Sequence, residues 1–263
     1  RSMMTHTFAV CAYGDSAYLE SCIRSLVRQP GNPEIICCTS TPSQYIEETA
    51  WKYGVPLHVR DGESNIQDDW NFAYETAKGD LVTLAHQDDM YHKDYETALQ
   101  KRAGEYPDMT VFFTDYATVK GTRLMNGKGL VEWVKTILRL PLINPDWNDR
   151  EWLKKAALIF GNPVSCPSCT YNKKLLGEPL FQSEFQYVLD WDTLWRLAGE
   201  RGRFVCEERP LMYYRVHDGA TTKQWIGDHR RTEEELAMFR KFWPEPAVQL
   251  IETFYRKAYR AYD

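Results

Sequence analysis

The first 116 residues alternate between short apolar runs and stretches of helical periodicity, and this alternation restricts the fold more than any other feature of the chain. Apolar runs at 7–13, 33–39, 56–60, 80–86 and 109–116 read as strands. Between them, 15–29, 41–54, 65–79 and 92–106 read as helices. In the first helix Leu19, Ile23, Leu26 and Val27 form the stripe, with Asp15 or Ser16 as N-cap. The second opens on Thr41 and Pro42 and closes at Gly54; the third closes at Gly79. Strands joined by helices of this length predict an α/β fold with a mostly parallel central sheet covered on both faces.

In such sheets ligands bind beyond the carboxyl ends of the strands. Three predicted ends are polar: Ala12, Tyr13 and Asp15 after the first, Thr39 and Ser40 after the second, and "HQDD" (86–89) after the fourth. Adjacent Asp88 and Asp89 repel each other unless positive charge lies beside them. They are either a solvated turn or part of a cation site. No Gly-x-Gly-x-x-Gly or Walker sequence occurs, which argues against a dinucleotide or P-loop site. A net charge of −5 leaves no electrostatic footprint for nucleic acid.

Beyond residue 120 the alternation breaks. Helices are predicted over 129–140 and 146–160, loop and a short strand over 161–176, a helix over 188–202, a strand over 210–217 and two charged helices to the end. In the 188–202 helix Asp192 stands four residues before Arg196, which predicts a solvated pair. Asp190 shares a side with Leu194 and Leu197 and should face inward, as a general base or as a carboxylate supporting the helix N-terminus. Asp115 and Glu184 are the next candidates for a base. Strand alternation puts Leu211, Tyr213, Arg215 and His217 on one face. His217 and Asp88 together offer donors suited to Mn²⁺.

These segments, in this order, resemble family 2 glycosyltransferases, the inverting enzymes of the GT-A fold. The resemblance rests on "FAVCAYGDSAYLESCIRSLVRQ", "NIQDDWNFAYETAKGDLVTLAHQDDMY", "LDWDTLWRLAGERG" and "PLMYYRVH", and covers roughly 7–222. It implies a metal-dependent enzyme moving a sugar from a nucleotide donor, expected to be UDP-linked, to a glycan or lipid-linked acceptor in cell-surface glycan synthesis. Residue by residue it implies Asp190 as catalytic base, Asp88 and His217 as ligands to Mn²⁺ or Mg²⁺, and Ala12, Tyr13, Asp15, Thr39, Ser40, Asn71, His86 and Gln87 around the nucleotide. Asp89, Trp191 and Arg215 fall on the acceptor side or behind the metal. The chain departs from the pattern twice. His86 replaces the first Asp of the Asp-x-Asp motif, and the second strand ends in "CTSTP" where an acidic run normally reads the base.

The domain division expected is a nucleotide-sugar half (5–120), an acceptor half (121–222) and a helical appendage (223–263). Three alternatives stay open: a sugar nucleotidyltransferase, a non-catalytic sugar-nucleotide-binding module, and a redox protein using Cys166 and Cys169. The opening "CAYGDSAYLE" lacks the Gly-rich basic loop of the first. The Cys-x-x-Cys lacks the second ligand pair of a zinc site. An odd count of seven cysteines, several in apolar runs, predicts reduced thiols, and no signal-peptide pattern precedes the first strand. A cytoplasmic protein is expected, with at most peripheral membrane contact and a homodimer possible.

Overall fold

The computed structural model describes residues 3–125, 127, 129–216 and 222–260. The amino-terminal alternation builds β1 (His6–Ala12), α1 (Leu19–Val27), β2 (Glu34–Thr39), α2 (Gln44–Lys52), β3 (Leu57–Val59), α3 (Ile66–Thr76) and β4 (Leu81–His86). A two-residue strand β5 (Met90–Tyr91) leads into α4 (Tyr95–Glu105) and the long β6 (Met109–Lys120). Then come β7 (Arg123–Leu124), α5 (Leu130–Leu138), α6 (Glu151–Ala156), β8 (Thr170–Asn172), α7 (Lys173–Leu176), α8 (Leu189–Ala198), β9 (Arg203–Val216), α9 (Thr222–Phe242) and α10 (Glu245–Arg260).

The strands form one sheet in the order β3-β2-β1-β4-β8-β6-β9-β5, with β7 hairpinned onto β6. The β3-β2-β1-β4 run is parallel, as is the β6–β9 pair, whereas β8 is antiparallel to both β4 and β6. Period-two alternation divides the core between the two faces. Phe8 and Val10 pack against Leu19, Ile23 and Leu26 of α1 and Leu99 of α4. Ala9, Val82 and Leu84 point the other way, toward Tyr74 of α3 and Leu189, Leu194 and Leu197 of α8. Sheet and core run through both of the expected halves.

The closing helices pack onto the core. Leu236, Met238 and Phe239 of α9 and Val248 of α10 are buried in the same core, and Phe239 meets the Trp191 ring at 5.2 Å. The 146–160 segment is interrupted: a short turn of 3₁₀-helix covers Pro145–Trp147, and α-helix covers only Glu151–Ala156.

The expected helix caps shift. Ser43, not Thr41, caps α2 by accepting from the Ile46 N–H. The N-cap position of α1 is Tyr18, which makes no side-chain capping bond, while the Ser16 hydroxyl two residues earlier accepts from the Tyr18 N–H at 3.2 Å and Asp15 makes no bond to the helix start. Both residues are engaged at the strand ends, as described below. Helix α3 stops at Thr76, short of Gly79. Gly79 lies against β1, where a Cβ would sit 2.7 Å from the Thr7 backbone nitrogen.

Candidate active site at the carboxyl ends of the parallel strands

The ends of β1, β2 and β4 meet beside α3, and two adjoining cavities open there. The smaller, about 490 Å³, is lined by Ala12, Tyr13, Thr39, Asp69 and Trp70 among others. The larger, about 780 Å³, is lined by Trp70, His86, Asn162, Asp190, Tyr214 and Arg231 among others. Ile66, Trp70 and Tyr187 line both.

Around the smaller cavity the backbone is held by short polar side chains. Gln87 donates to the Tyr13 carbonyl at 2.8 Å and accepts from the Tyr13 N–H at 3.1 Å, tying the ends of β1 and β4 together. Gly14 takes the left-handed φ of +59° and donates its N–H to Thr41 Oγ1 at 2.9 Å. Asp15 accepts from Ser43 at 2.6 Å and lines neither cavity. Thr39 is buried and lines the cavity, and its hydroxyl accepts from the Thr41 N–H. Ser40 donates to Asp69 at 3.0 Å. Asn71 lines neither cavity. Its amide donates to the Phe181 carbonyl and accepts from the Phe181 N–H, both at 2.9 Å.

Of the residues at the end of β4, His86 lines the larger cavity, and the others are tied to neighbouring elements. Asp88 accepts from Ser16 at 2.5 Å, and its backbone carbonyl accepts from Arg215 Nε at 3.1 Å. Asp89 is buried and accepts from the Arg215 backbone N–H at 3.1 Å. Burial pushes its carboxyl up to about 7. Arg215 is itself buried, lies 3.8 Å over the Tyr18 ring and donates to the Gly121 carbonyl. It fastens β9 to the end of β4. His86 packs against Trp70, and its Nε2 is buried without a partner. Desolvation lowers its pKa to about 4, partly opposed by the charge of Asp88.

Asp190 opens onto the larger cavity and accepts from Asn162 Nδ2 at 3.0 Å. Burial raises its carboxyl above the ordinary carboxylate range, opposed by backbone N–H groups of the α8 start and by the charges of Arg231 and Lys135. The inward orientation agrees with the helical stripe; the two cations come from α9 and α5, far away in sequence. Trp191 is core, with its indole N–H on the Leu158 carbonyl at 2.9 Å. Leu130, Val131 and Val134 of α5, all exposed, form an apolar rim on this cavity.

Several sequence expectations are redirected. Asp192 does not pair with Arg196; it accepts from Ser183 at 2.7 Å and from Lys241 at 3.0 Å, while Arg196 pairs with Glu200. Asp115 pairs with Arg139, and Glu184 is exposed near Lys241. His217 lies outside the described residues. All seven cysteines are free, and burial raises the thiols of Cys166 and Cys169, which makes them poor redox nucleophiles. Asp69, Asn162, Lys135 and Arg231 had not been singled out. The repeated acidic pair in "NIQDDWN" was the available signal for Asp69. Asn65 accounts for one member as N-cap, through Asp68, and leaves Asp69 facing the cavity.

Among the described residues no group of three or more His, Cys, Asp or Glu side chains is placed to hold a metal by itself. Asp88 and His86 stand two residues apart at the end of β4, and a carboxylate and the unpartnered His86 nitrogen are donor types that a divalent cation accepts. Among the described residues no helix is long and apolar enough to cross a membrane.

A twisted, mostly parallel sheet covered on both faces, with its polar site at the strand ends, defines a GT-A-type α/β domain. The chain belongs to the family described as glycosyl transferase family 2, whose model matches residues 7–175, and the domain is accordingly a glycosyltransferase domain. Solved structures with the same fold include TarS 1-349 of S. aureus, at 17% identity and TM-score 0.60, covering 81% of this chain and 60% of that one. The same protein has been crystallised with UDP-GlcNAc (17% identity, TM-score 0.58, 82% and 60% covered). Glucosyl-3-phosphoglycerate synthase from Mycobacterium tuberculosis, in complex with Mn²⁺ and UDP-glucose, matches at 16% identity and TM-score 0.59, covering 92% of this chain and 81% of that one. The chain thus spans less than two thirds of the TarS structure. No curated protein shows significant sequence similarity to it.

Proposed function

We propose that this chain transfers a sugar, with inversion, from a UDP-linked donor to a hydroxyl of a glycan or lipid-linked acceptor, with the help of a divalent cation. The observation that carries the reading is the pair of adjoining cavities: one at the ends of β1 and β2, the other holding the desolvated Asp190 together with His86 from the end of β4. That the glycosyltransferase neighbours were crystallised with UDP-GlcNAc and with Mn²⁺ and UDP-glucose supports the donor class and the cation.

In this reading the nucleoside lies in the smaller cavity, beside Ala12, Tyr13 and Thr39. Asp88 and His86, joined by His217, would hold Mn²⁺ or Mg²⁺, which when bound neutralises the diphosphate and eases its departure. Ser16 and the Arg215 clamp keep the Asp88 segment in place. Asp190 takes the proton of the acceptor hydroxyl at its carboxylate while that oxygen attacks the anomeric carbon opposite the leaving diphosphate. Asn162 orients the carboxylate. Desolvation makes Asp190 a stronger base than an exposed aspartate, and Arg231 and Lys135 keep its charged form accessible.

The test is a thermal-shift panel of UDP-glucose, UDP-GlcNAc and UDP, each with and without Mn²⁺. Binding to the folded state at a hundredfold excess over Kd stabilises it by about 2.7 kcal/mol, or roughly 5–10 °C for a domain of this size. Slow Mn²⁺-dependent release of UDP from a bound sugar nucleotide then separates an enzyme from a binding module. No shift with any of the three, with or without Mn²⁺, rules the reading out.

A further inference from the structure

The structure assigns to Asp69 the reading of the nucleobase: its carboxylate accepts the imide N–H of a uracil ring in the smaller cavity. This rests on the proposed role of that cavity as the nucleoside pocket and goes beyond it by naming the group that selects the base.

The end of β2, "CTSTP", carries no acidic side chain. Asp69 comes to this place from a different element, the first turns of α3, and lines the same cavity as Thr39 and Tyr13. Ser40, at the end of β2, donates to Asp69 Oδ2 at 3.0 Å, and Ser64 donates to the same oxygen at 2.8 Å. Arg60, at the end of β3, donates through Nε to Oδ1 at 2.9 Å. The rest of the guanidinium is turned to the backbone carbonyls of Asp61 and Glu63, so that the pair is single-pronged.

An ionised carboxylate has about four lone-pair positions and no donor. These three bonds take two positions on Oδ2 and one on Oδ1. One acceptor position on Oδ1 is left, on a side chain that is 21% exposed at the cavity wall. Three donors from Arg60, Ser40 and Ser64 hold the carboxylate fixed, with its remaining position an acceptor for an N–H. Uracil offers such an N–H at ring position 3. Cytosine has a bare nitrogen there, and its lone pair would face the carboxylate at a cost. Tyr13, 60% exposed at the rim, offers the flat face on which a base stacks. A merely structural Asp69, joining α3 to the ends of β2 and β3, needs neither the unfilled acceptor position nor a place on the cavity wall.

The test is calorimetric titration of UDP, CDP and inorganic pyrophosphate, with Mn²⁺ throughout, into the wild-type protein and Asp69→Asn. The wild type should prefer UDP to CDP at least tenfold. In Asp69→Asn the UDP affinity should fall at least tenfold, while CDP and pyrophosphate change less than threefold, because the asparagine amide can donate to cytosine. Equal losses for UDP and CDP, or an unmoved preference, overturn the assignment and leave the nucleotide-sugar reading standing. A wild-type protein that binds no nucleoside diphosphate refutes both. A second measurement needs no variant: 3-methyluridine diphosphate, whose ring lacks the N–H, should bind the wild type at least tenfold more weakly than UDP. Equal binding overturns the assignment even if Asp69→Asn fails to fold.

Discussion

Asn71→Ala separates a nucleotide contact from a structural clamp. The resemblance puts Asn71 beside the nucleotide, whereas the structure gives both of its amide atoms to the backbone of Phe181 at 2.9 Å. Phe181 is 1% exposed and packs against Trp70 and Tyr171. Truncation would leave its N–H and C=O without their partner in a place water reaches poorly. An abandoned buried donor or acceptor costs about 1–3 kcal/mol, so the pair predicts a loss of about 2–6 kcal/mol. For a domain of this size, 1 kcal/mol moves Tm by about 2–4 °C. Asn71→Ala should therefore melt roughly 4–24 °C below wild type in a circular-dichroism scan, with Asn71→Asp, which keeps the acceptor, in between. UDP affinity, measured by calorimetry well below either Tm, should change less than threefold. An unchanged Tm with a UDP affinity tenfold weaker would refute the clamp and return Asn71 to the nucleotide.

Asp190→Asn should lower sugar transfer by about a hundredfold or more, the contribution of a positioned base, with donor affinity nearly unchanged; full activity in this variant places the base elsewhere. Because burial raises the Asp190 pKa, the acid limb of the wild-type rate should lie above the ordinary carboxylate range, the rate falling as pH drops through the raised value. The same shift makes ionised Asp190 a destabilising group: its favourable contribution is full below the unfolded carboxylate pKa and lost as pH rises through the folded one. Asp190→Asn should thus raise Tm at neutral pH, and an unchanged or lower Tm there argues against the desolvation. Asp192→Asn, 14% exposed and bonded to Ser183 and Lys241, should cost about 1 kcal/mol and leave the transfer rate close to wild type; a dead enzyme would exchange the roles of the two aspartates. Asp88→Asn should abolish the Mn²⁺-dependent part of the UDP thermal shift while the ligand-free protein still folds, and an undiminished Mn²⁺ effect would remove Asp88 from the cation site.

The strand and helix alternation up to residue 116 was readable because apolar periodicity is a local signal, and each of its predicted elements is present within a few residues. Asp190 was readable for the same reason, since inward placement on a helix follows from the spacing to Leu194 and Leu197. What depended on distant partners was not. Asp192 has an arginine at the ideal i,i+4 spacing, yet packing of α9 on α8 brings Lys241 to it first. Asp15, Ser16 and Thr41 have the chemistry of helix caps, but the meeting of three strand ends gives them other partners. Asn71 fits a family pattern and is claimed by a backbone 110 residues away. Interleaving of the two halves is invisible to pattern reading, because three residues of β8 carry too little periodicity to show where in the sheet they insert.

That insertion governs the order in which the molecule can come together. Strands β4 and β6 are never neighbours; Thr170–Asn172 lies between them and pairs with both. A growing chain completes β4 at residue 86 and β6 at residue 120, but the strand that joins them emerges some fifty residues later. Until then the first four strands present β4 as an open apolar edge, the kind of surface through which partly folded chains associate. Strand β6 waits longer still, for β9 to close its other side. Folding is therefore dominated by contacts distant in sequence, a topology that slows it. A fragment ending near residue 120 would keep every strand of the smaller cavity and still be left with an unsealed seam.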